Sequence, residues 1–151
     1  MTKNVTLETP RLILRKLELS DAKAMYENWT SDEKVAAFVS WNAHRSVEET
    51  QTILNRWVKE YEEQENPLRF GICLKDSGTL IGMIDVVGEK YGFPEVGYVL
   101  SSKHWGQGIM TEAATAFRDY LFSLNHRRII IRALGNNIGS TKVIFKLGGM
   151  F

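Results

Sequence analysis

The sequence predicts a mixed α/β fold in which helices flank a mostly antiparallel central sheet. Several short segments alternate apolar and polar residues, and longer segments repeat apolar residues at helical spacing. The turn residues Asp76-Ser77-Gly78 separate two alternating segments and predict an antiparallel hairpin. A strand followed by a glycine-bearing turn and a long helix, centred on Gly106 and Gly108, predicts a crossover to a parallel strand.

The first part of the chain is typical of one strand followed by two helices. Apolar residues alternate in part with polar ones from Leu12 to Leu17, which predicts the first strand. Ser20 is expected to cap the first helix. Ser46 and Glu49 have the spacing of a capping box and predict the start of the second helix. The apolar stripe of that second helix is predicted to comprise Val47, Thr50, Ile53, Leu54, Trp57, Val58 and Tyr61.

The rest of the chain is predicted to build most of the sheet and two further helices. Pro94 marks the start of a strand that leads directly to the glycine turn. Gly148 and Gly149 are expected to end the last helix. The predicted strands cover residues 70–74, 80–87, 95–100 and 129–131, and the predicted helices begin at Ile109 and Asn137.

Composition limits the function classes that need to be considered. A chain of 151 residues without linkers or repeats predicts a single domain over 1–151. Its formal net charge of +1 argues against a nucleic-acid partner. Cys73 is the only cysteine, and no His/Asp/Glu cluster has metal-ligand spacing, so we expect no metal. No apolar stretch resembles a signal peptide or a membrane span, so a cytoplasmic protein without a membrane partner is expected.

The glycine turn predicts an anion site made of main-chain amides. A helix start leaves about four N–H groups without intrahelical partners and carries a partial positive charge. Gly106 and Gly108 remove side chains where an anionic ligand would approach that helix start. The alternative is that the two glycines only tighten a strand-to-helix turn, since a lone G-x-G is a weak signal.

Four segments carry a resemblance to a known family. Lys103-His104-Trp105-Gly106-Gln107-Gly108 resembles the acyl-CoA diphosphate loop of the GNAT N-acetyltransferase superfamily, with Lys103 in place of the usual Arg or Gln. The segments Thr9–Arg15, Glu95–Leu100 and Asn137–Gly148 are similar to the ribosomal-protein N-terminal acetyltransferase branch of that superfamily. The resemblance covers essentially the whole chain.

The resemblance implies that acetyl-CoA is the cosubstrate and that an amine attacks its thioester directly in a ternary complex. The acceptor would be a protein α-amine or a small-molecule amine. Backbone N–H groups near Val99 and Leu100 are implied donors to the oxyanion and the pantetheine arm, on a strand splayed by a bulge. Ordinary ladder pairing of these amides is the alternative. The implied acetyl-CoA residues are Val99, Leu100, Lys103, Trp105, Gly106, Gln107, Gly108, Ile109, Met110, Thr111, Asn137 and Ser140.

The resemblance also suggests catalytic and acceptor-site residues. Glu95 is the candidate general base, and the alternatives are that it closes a strand end or pairs with an arginine. Ser140 is the candidate proton donor to the leaving thiolate, while Asn137 would bind the pantetheine arm, cap its helix, or do both. Trp41 and His44 lie in a loop that would line the acceptor pocket, although a loop histidine is more often solvated.

Members of the family continue into two further strands after the last predicted helix. This sequence ends at Phe151, so we expect a sheet that lacks the last two strands. Either the sequence is shortened, or another chain, for instance in a homodimer, completes the sheet. A non-catalytic acyl-CoA-binding module is the alternative function at this stage.

Overall fold

A mixed sheet organises the part of the chain that the computed structural model describes, which is residues 3–37, 42–90, 92–126 and 128–131. Within these residues the sheet has six strands in the order β1-β2-β3-β4-β5-β6. The strands are β1 (Leu7–Glu8), β2 (Leu12–Arg15), β3 (Arg69–Leu74), β4 (Leu80–Lys90), β5 (Phe93–Leu100) and β6 (Ile130–Ile131).

The pairing confirms the predicted fold class. Strands β1 to β5 pair with their neighbours in antiparallel register, and β6 is parallel to β5. The hairpin between β3 and β4 turns at Gly78, as the turn residues predicted. The parallel pairing aligns Glu95 with Ile130 and Val96 with Ile131, which confirms the crossover predicted around the glycine turn.

The helices lie on both faces of this sheet. Helix α3 begins after Ser46, whose hydroxyl accepts the Glu49 N–H at 3.4 Å, as predicted. Glu49 in turn accepts the Arg45 N–H, one residue before the position that a capping box requires. The α-helices are α1 (Ala22–Met25), α2 (Glu33–Ala36), α3 (Val47–Glu60) and α4 (Ile109–Ser123).

The first predicted helix differs from the expectation. A 3-10 turn at Leu19–Asp21 precedes α1, and a π-helical turn at Tyr26–Thr30 follows it. Ser20 lies inside the 3-10 turn and is not the cap, so this prediction was wrong. The Asp21 carboxylate accepts the Glu18 N–H at 2.7 Å and pairs with Arg15 at 2.9 Å, which moves the start of the turn to Glu18.

Two apolar clusters pack against the two faces of the sheet. On the face covered by α4, called the α4 face, the buried ring of Phe70 contacts Phe117 with centroids 5.9 Å apart. On the opposite face, called the α3 face, Trp29 and Leu54 pack with Met83 of β4. Because side chains alternate along a strand, the central strands β3, β4 and β5 contribute to both clusters.

Some predicted residues lie outside the described part of the chain. These are Trp41, Asn137, Ser140 and the whole helix predicted to begin at Asn137.

Candidate functional site

The turn between β5 and α4 contains two glycines in a left-handed conformation. Gly106 has φ +75° and Gly108 has φ +74°, a region that residues with a Cβ atom rarely adopt. A Cβ on Gly106 would find no described atom within 4 Å, and both glycines are exposed. The glycines are therefore required by the backbone, and the space over Gly106 is open.

The helix that follows presents main-chain donors at this turn. The first helical hydrogen bond of α4 runs from Glu112 N to Gly108 O at 3.1 Å. The N–H groups of Ile109, Met110 and Thr111 make no hydrogen bond to any other described residue. Because the helix dipole adds partial positive charge at the same point, this end of α4 is suited to bind an anion.

The side chains of the turn are arranged around these donors. Ile109 and Met110 bury their side chains in the α4-face cluster, so only their backbone can meet a ligand. Lys103 and Gln107 are exposed, and the Gln107 amide donates to the Lys103 carbonyl at 3.4 Å. Trp105 is 42% exposed, yet its indole Nε1 donates to Leu100 O at 2.9 Å, which fixes the ring beside the end of β5.

The backbone of β5 directs its amides to alternate sides. Ser101 N donates to Ile81 O of β4 at 2.8 Å. By the alternation of an antiparallel ladder, Val99 N–H also points to β4, whereas Leu100 N–H points to the opposite side. Of the two predicted amide donors, the N–H of Leu100 is therefore the one that points away from β4. The Leu100 carbonyl, which points to the same side as its N–H, accepts the bond from Trp105 Nε1 and agrees with this direction.

The bulge in this part of the sheet differs from the expectation. The register of β4 and β5 is regular where Val99 pairs with Met83. The register shift lies in β4 between Val86 and Gly88, opposite Glu95. The extra residue is thus in β4 and not in β5 near Val99 and Leu100. The predicted splaying of β5 away from β6 concerns positions after Ile131, which lie outside the described residues.

Sequence reasoning missed a polar cluster beside the glycine turn. Glu112, in the first turn of α4, accepts hydrogen bonds from Arg11 N at 2.9 Å and Arg11 Nε at 2.8 Å. The Thr9 hydroxyl donates to the same carboxylate, and Arg11 Nη1 donates to Gln107 O at 2.9 Å. No local pattern in the sequence could have paired Arg11 with a helix that begins almost a hundred residues later.

A groove lies between α2 and the start of α3. It is open and has a volume of about 890 Å³. His44 is fixed at its wall, because its Nδ1 lies 2.7 Å from the buried Thr50 hydroxyl and its N–H donates to Thr30 O at 2.7 Å. We call this the His44 groove; it is lined by Ser31, Glu33, Ala36, Ala37, Asn42, Ala43, His44, Arg45 and Glu49.

One hydrogen bond connects the segment that forms the His44 groove to the glycine turn. Ser102, just after β5, donates to the Asp32 carboxylate at 2.6 Å. Asp32 also accepts the Lys34 N–H and caps α2. The hydrogen bond from Ser102 lowers the pKa of Asp32 below its usual value. Because Asp32 is charged at neutral pH, it ties the two regions together by a charge-assisted bond.

Glu95 lies near the start of β5, where it pairs with Gly88 of β4 and Ile130 of β6. It is partly buried, and strand alternation places it on the α3 face, because its neighbour Val96 belongs to the α4-face cluster. Val99 shares that face and packs against the cluster containing Trp29. Glu95 thus points to the same face of the sheet as the helices that border the His44 groove.

Two kinds of feature are absent from the part of the chain that the structure describes. No three His, Cys, Asp or Glu residues there lie close enough together to hold a metal ion. Across the same residues, no helix is both long enough and apolar enough to cross a membrane.

Comparison with known proteins identifies the family. A family model described as the acetyltransferase (GNAT) domain matches residues 11–150. The chain belongs to the GNAT acetyltransferase family. It is therefore an acetyl-CoA-dependent acetyltransferase, and the mixed sheet seen here is the fold of that family.

Individual GNAT relatives are similar to this chain in sequence or in structure over most of its length. The uncharacterized N-acetyltransferase p20 of Bacillus licheniformis is 32% identical over 145 residues, covering 94% of this chain and 80% of the relative. The crystal structure of a GNAT-family acetyltransferase from Bacillus anthracis is similar with a TM-score of 0.82 and 27% identity, covering 95% of this chain and 82% of that one. The ribosomal-protein-S5-alanine acetyltransferase of Vibrio fischeri is similar with a TM-score of 0.79 and 25% identity, covering 96% of this chain and 82% of that one.

Proposed function

We propose that this protein transfers the acetyl group of acetyl-CoA to a primary amine by direct attack in a ternary complex. The observation that carries the proposal is the start of α4, where the N–H groups of Ile109, Met110 and Thr111 face an open glycine turn. These amides and the helix dipole would bind the diphosphate of acetyl-CoA. The same site would hold free CoA after the reaction.

The chemical step needs three functions from the chain. The amine nitrogen attacks the thioester carbonyl carbon, the carbon–sulfur bond breaks, and the thiolate takes up a proton. Leu100 N–H, which points away from β4, would donate to the pantetheine arm or to the developing oxyanion. Glu95 would accept the proton of the amine, and Ser140, with Asn137 beside the pantetheine arm, would supply the proton to sulfur.

The relatives and the charge of the His44 groove support a proposal for the acceptor class. The Vibrio fischeri relative is described as acting on an alanine of ribosomal protein S5. Two carboxylates, Glu33 and Glu49, and one guanidinium, Arg45, line the groove. The resulting excess of negative charge would attract an ammonium group before it is deprotonated. We therefore propose a protein α-amine or a small-molecule amine as acceptor, in the manner of the ribosomal-protein branch, with Trp41 and His44 lining its pocket.

Calorimetric titration with CoA, followed by a screen of amines for thiol release from acetyl-CoA, tests the proposal. We expect micromolar affinity and thiol release that depends on an added amine. A folded protein that does not bind CoA would overturn the proposal. Tight CoA binding without transfer to any α-amine, lysine or small amine would instead identify a non-catalytic acyl-CoA-binding module.

The role of Glu95 is tested by Glu95→Gln, which keeps the shape of the side chain and removes its basicity. A lysine amine with a pKa of about 10.4 costs about 4.6 kcal/mol to deprotonate at pH 7, whereas an α-amine near 7.8 costs only about 1 kcal/mol. The variant should therefore lose much more kcat/KM with a lysine-type acceptor than with an α-amine peptide. Glu62→Gln, an exposed residue in the 3-10 turn that follows α3, is the matched control. Equal rates for Glu95→Gln and the wild type with both acceptors would exclude Glu95 as the base.

A further inference from the structure

Arg11 contacts both the glycine turn and the first turn of α4. Its backbone N–H and its Nε both donate to the Glu112 carboxylate, at 2.9 and 2.8 Å. Its Nη1 donates to the Gln107 carbonyl at 2.9 Å, and its Nη2 lies 3.6 Å from the position that a Cβ on Gly108 would occupy. The planar guanidinium thus contacts both the turn and the first turn of α4, a geometry that a lysine ammonium cannot reproduce.

The bond from Arg11 to Gln107 O fixes a peptide plane in the turn. Within the described residues all peptide bonds are trans, so the Gly108 N–H points opposite to the Gln107 carbonyl. Since the Gln107 carbonyl points toward Arg11, the Gly108 N–H points toward the side of the turn that Arg11 does not occupy. Rotation of this plane would instead present the negative end of the carbonyl dipole to a ligand.

Glu112 would oppose an anionic ligand if it stood alone. Its carboxylate lies in the first turn of α4, next to the amides proposed to bind the diphosphate. Partial burial acts to raise its pKa, but hydrogen bonds from Thr9 and Arg11 outweigh this and lower the pKa of Glu112 below its usual value. Glu112 is therefore charged at neutral pH, and Arg11 neutralises that charge at a distance of 2.8 Å.

We propose that Arg11 is a positioning residue for acetyl-CoA: anchored by Glu112 and Thr9, it presets the Gln107–Gly108 peptide and cancels the carboxylate charge beside the diphosphate. This inference rests on the proposed function, because it concerns the same site. Arg11 acts through the turn, so its contribution depends on a ligand that carries a diphosphate.

The test compares Arg11→Ala and Arg11→Lys with the wild type in two assays. Calorimetry gives the Kd for CoA, and steady-state kinetics gives kcat and KM with acetyl-CoA and with S-acetylpantetheine, which lacks the diphosphate. For Arg11→Ala we expect about a tenfold rise in the CoA Kd and in the acetyl-CoA KM, equivalent to about 1.4 kcal/mol, with kcat little changed. Arg11→Lys should restore little of the affinity, and kcat/KM with S-acetylpantetheine should stay at the wild-type value.

Two further variants complete the design. Thr9→Val keeps the shape of the side chain and removes its hydrogen bond to the Glu112 carboxylate while both charges remain. It should raise the CoA Kd in the same direction, by a smaller factor, and it serves as the test if Arg11→Ala does not fold. Lys75→Ala removes a surface cation that pairs with Glu8 at 3.3 Å and should leave all constants unchanged. Wild-type protein that fails to bind CoA would refute the proposed function itself. If the wild type binds CoA, an unchanged Kd in Arg11→Ala and Thr9→Val would refute the positioning role alone. An equal loss of kcat/KM with S-acetylpantetheine would refute it as well.

Discussion

At the scale of single residues, the turn before α4 depends on glycine for two separate reasons. Gly106 and Gly108 have positive φ, so any other residue would strain the backbone. Gly106 also has open space where a Cβ would lie, so a methyl group there would not clash with the described protein. Such a methyl group would nevertheless occupy the volume through which a diphosphate reaches the amides.

A pair of glycine substitutions distinguishes the effect of positive φ on stability from the effect of the open space on CoA binding. Gly78, in the β3–β4 hairpin, has φ +74° and likewise no described atom within 4 Å of a Cβ. Gly106→Ala and Gly78→Ala should therefore each lower the free energy of unfolding by about 1 kcal/mol. Only Gly106→Ala should weaken CoA binding, with a rise in the Kd of at least about tenfold, which corresponds to about 1.4 kcal/mol. Urea denaturation and calorimetry measure the two effects, and equal CoA affinity in both variants would show that the turn is not the diphosphate site.

At the scale of elements, short-range patterns were sufficient to predict most of the fold. The start of α4 at Ile109 and the cap of α3 at Ser46 were predicted because both depend on residues within one helical turn. The first helix was predicted less well, since Asp21 is held by Arg15 of β2 and not by its own helix. A local capping rule cannot anticipate that competing partner.

In the candidate site, too, the contacts between residues far apart in the sequence could not be predicted. The glycine turn was visible because its signal is contained in a few neighbouring residues. The bond between Ser102 and Asp32 joins positions 70 apart, and the bond between Arg11 and Glu112 joins positions 101 apart. Such pairs depend on how the strands are ordered in the sheet, and the sequence of one chain carries no pattern for them.

At the scale of the whole molecule, the site depends on how the sheet holds β5 between two apolar clusters. Arg69 of β3 crosses from the sheet to α3 on one face: it pairs with Asp85 of β4 at 3.0 Å and with Glu60 of α3 at 2.9 Å. Its guanidinium also lies over the Trp57 ring, 4.5 Å from the centroid. These contacts bind α3, which carries one wall of the His44 groove, to the strand next to β5.

The buried pair of Arg69 and Asp85 therefore predicts a large effect on stability and a small one on CoA binding. Asp85→Ala leaves the buried Arg69 charge with the half-exposed Glu60 as its remaining ion-pair partner among the described residues, beside the Trp57 ring. The loss of the buried partner should cost about 3–5 kcal/mol in the free energy of unfolding. Asp119→Ala breaks an exposed pair with Arg118 on α4 and should cost less than about 1 kcal/mol.

Urea denaturation of both variants, with CoA titration at a temperature where each remains folded, distinguishes the two effects. Asp85 does not touch the glycine turn, so the folded Asp85→Ala protein should keep a CoA Kd within about twofold of the wild type, a difference below about 0.5 kcal/mol. An Asp85→Ala variant as stable as Asp119→Ala would show that α3 is held by its apolar stripe alone. A variant that folds but loses CoA affinity would instead show that the position of α3 is transmitted through β4 and β5 to the amides of α4.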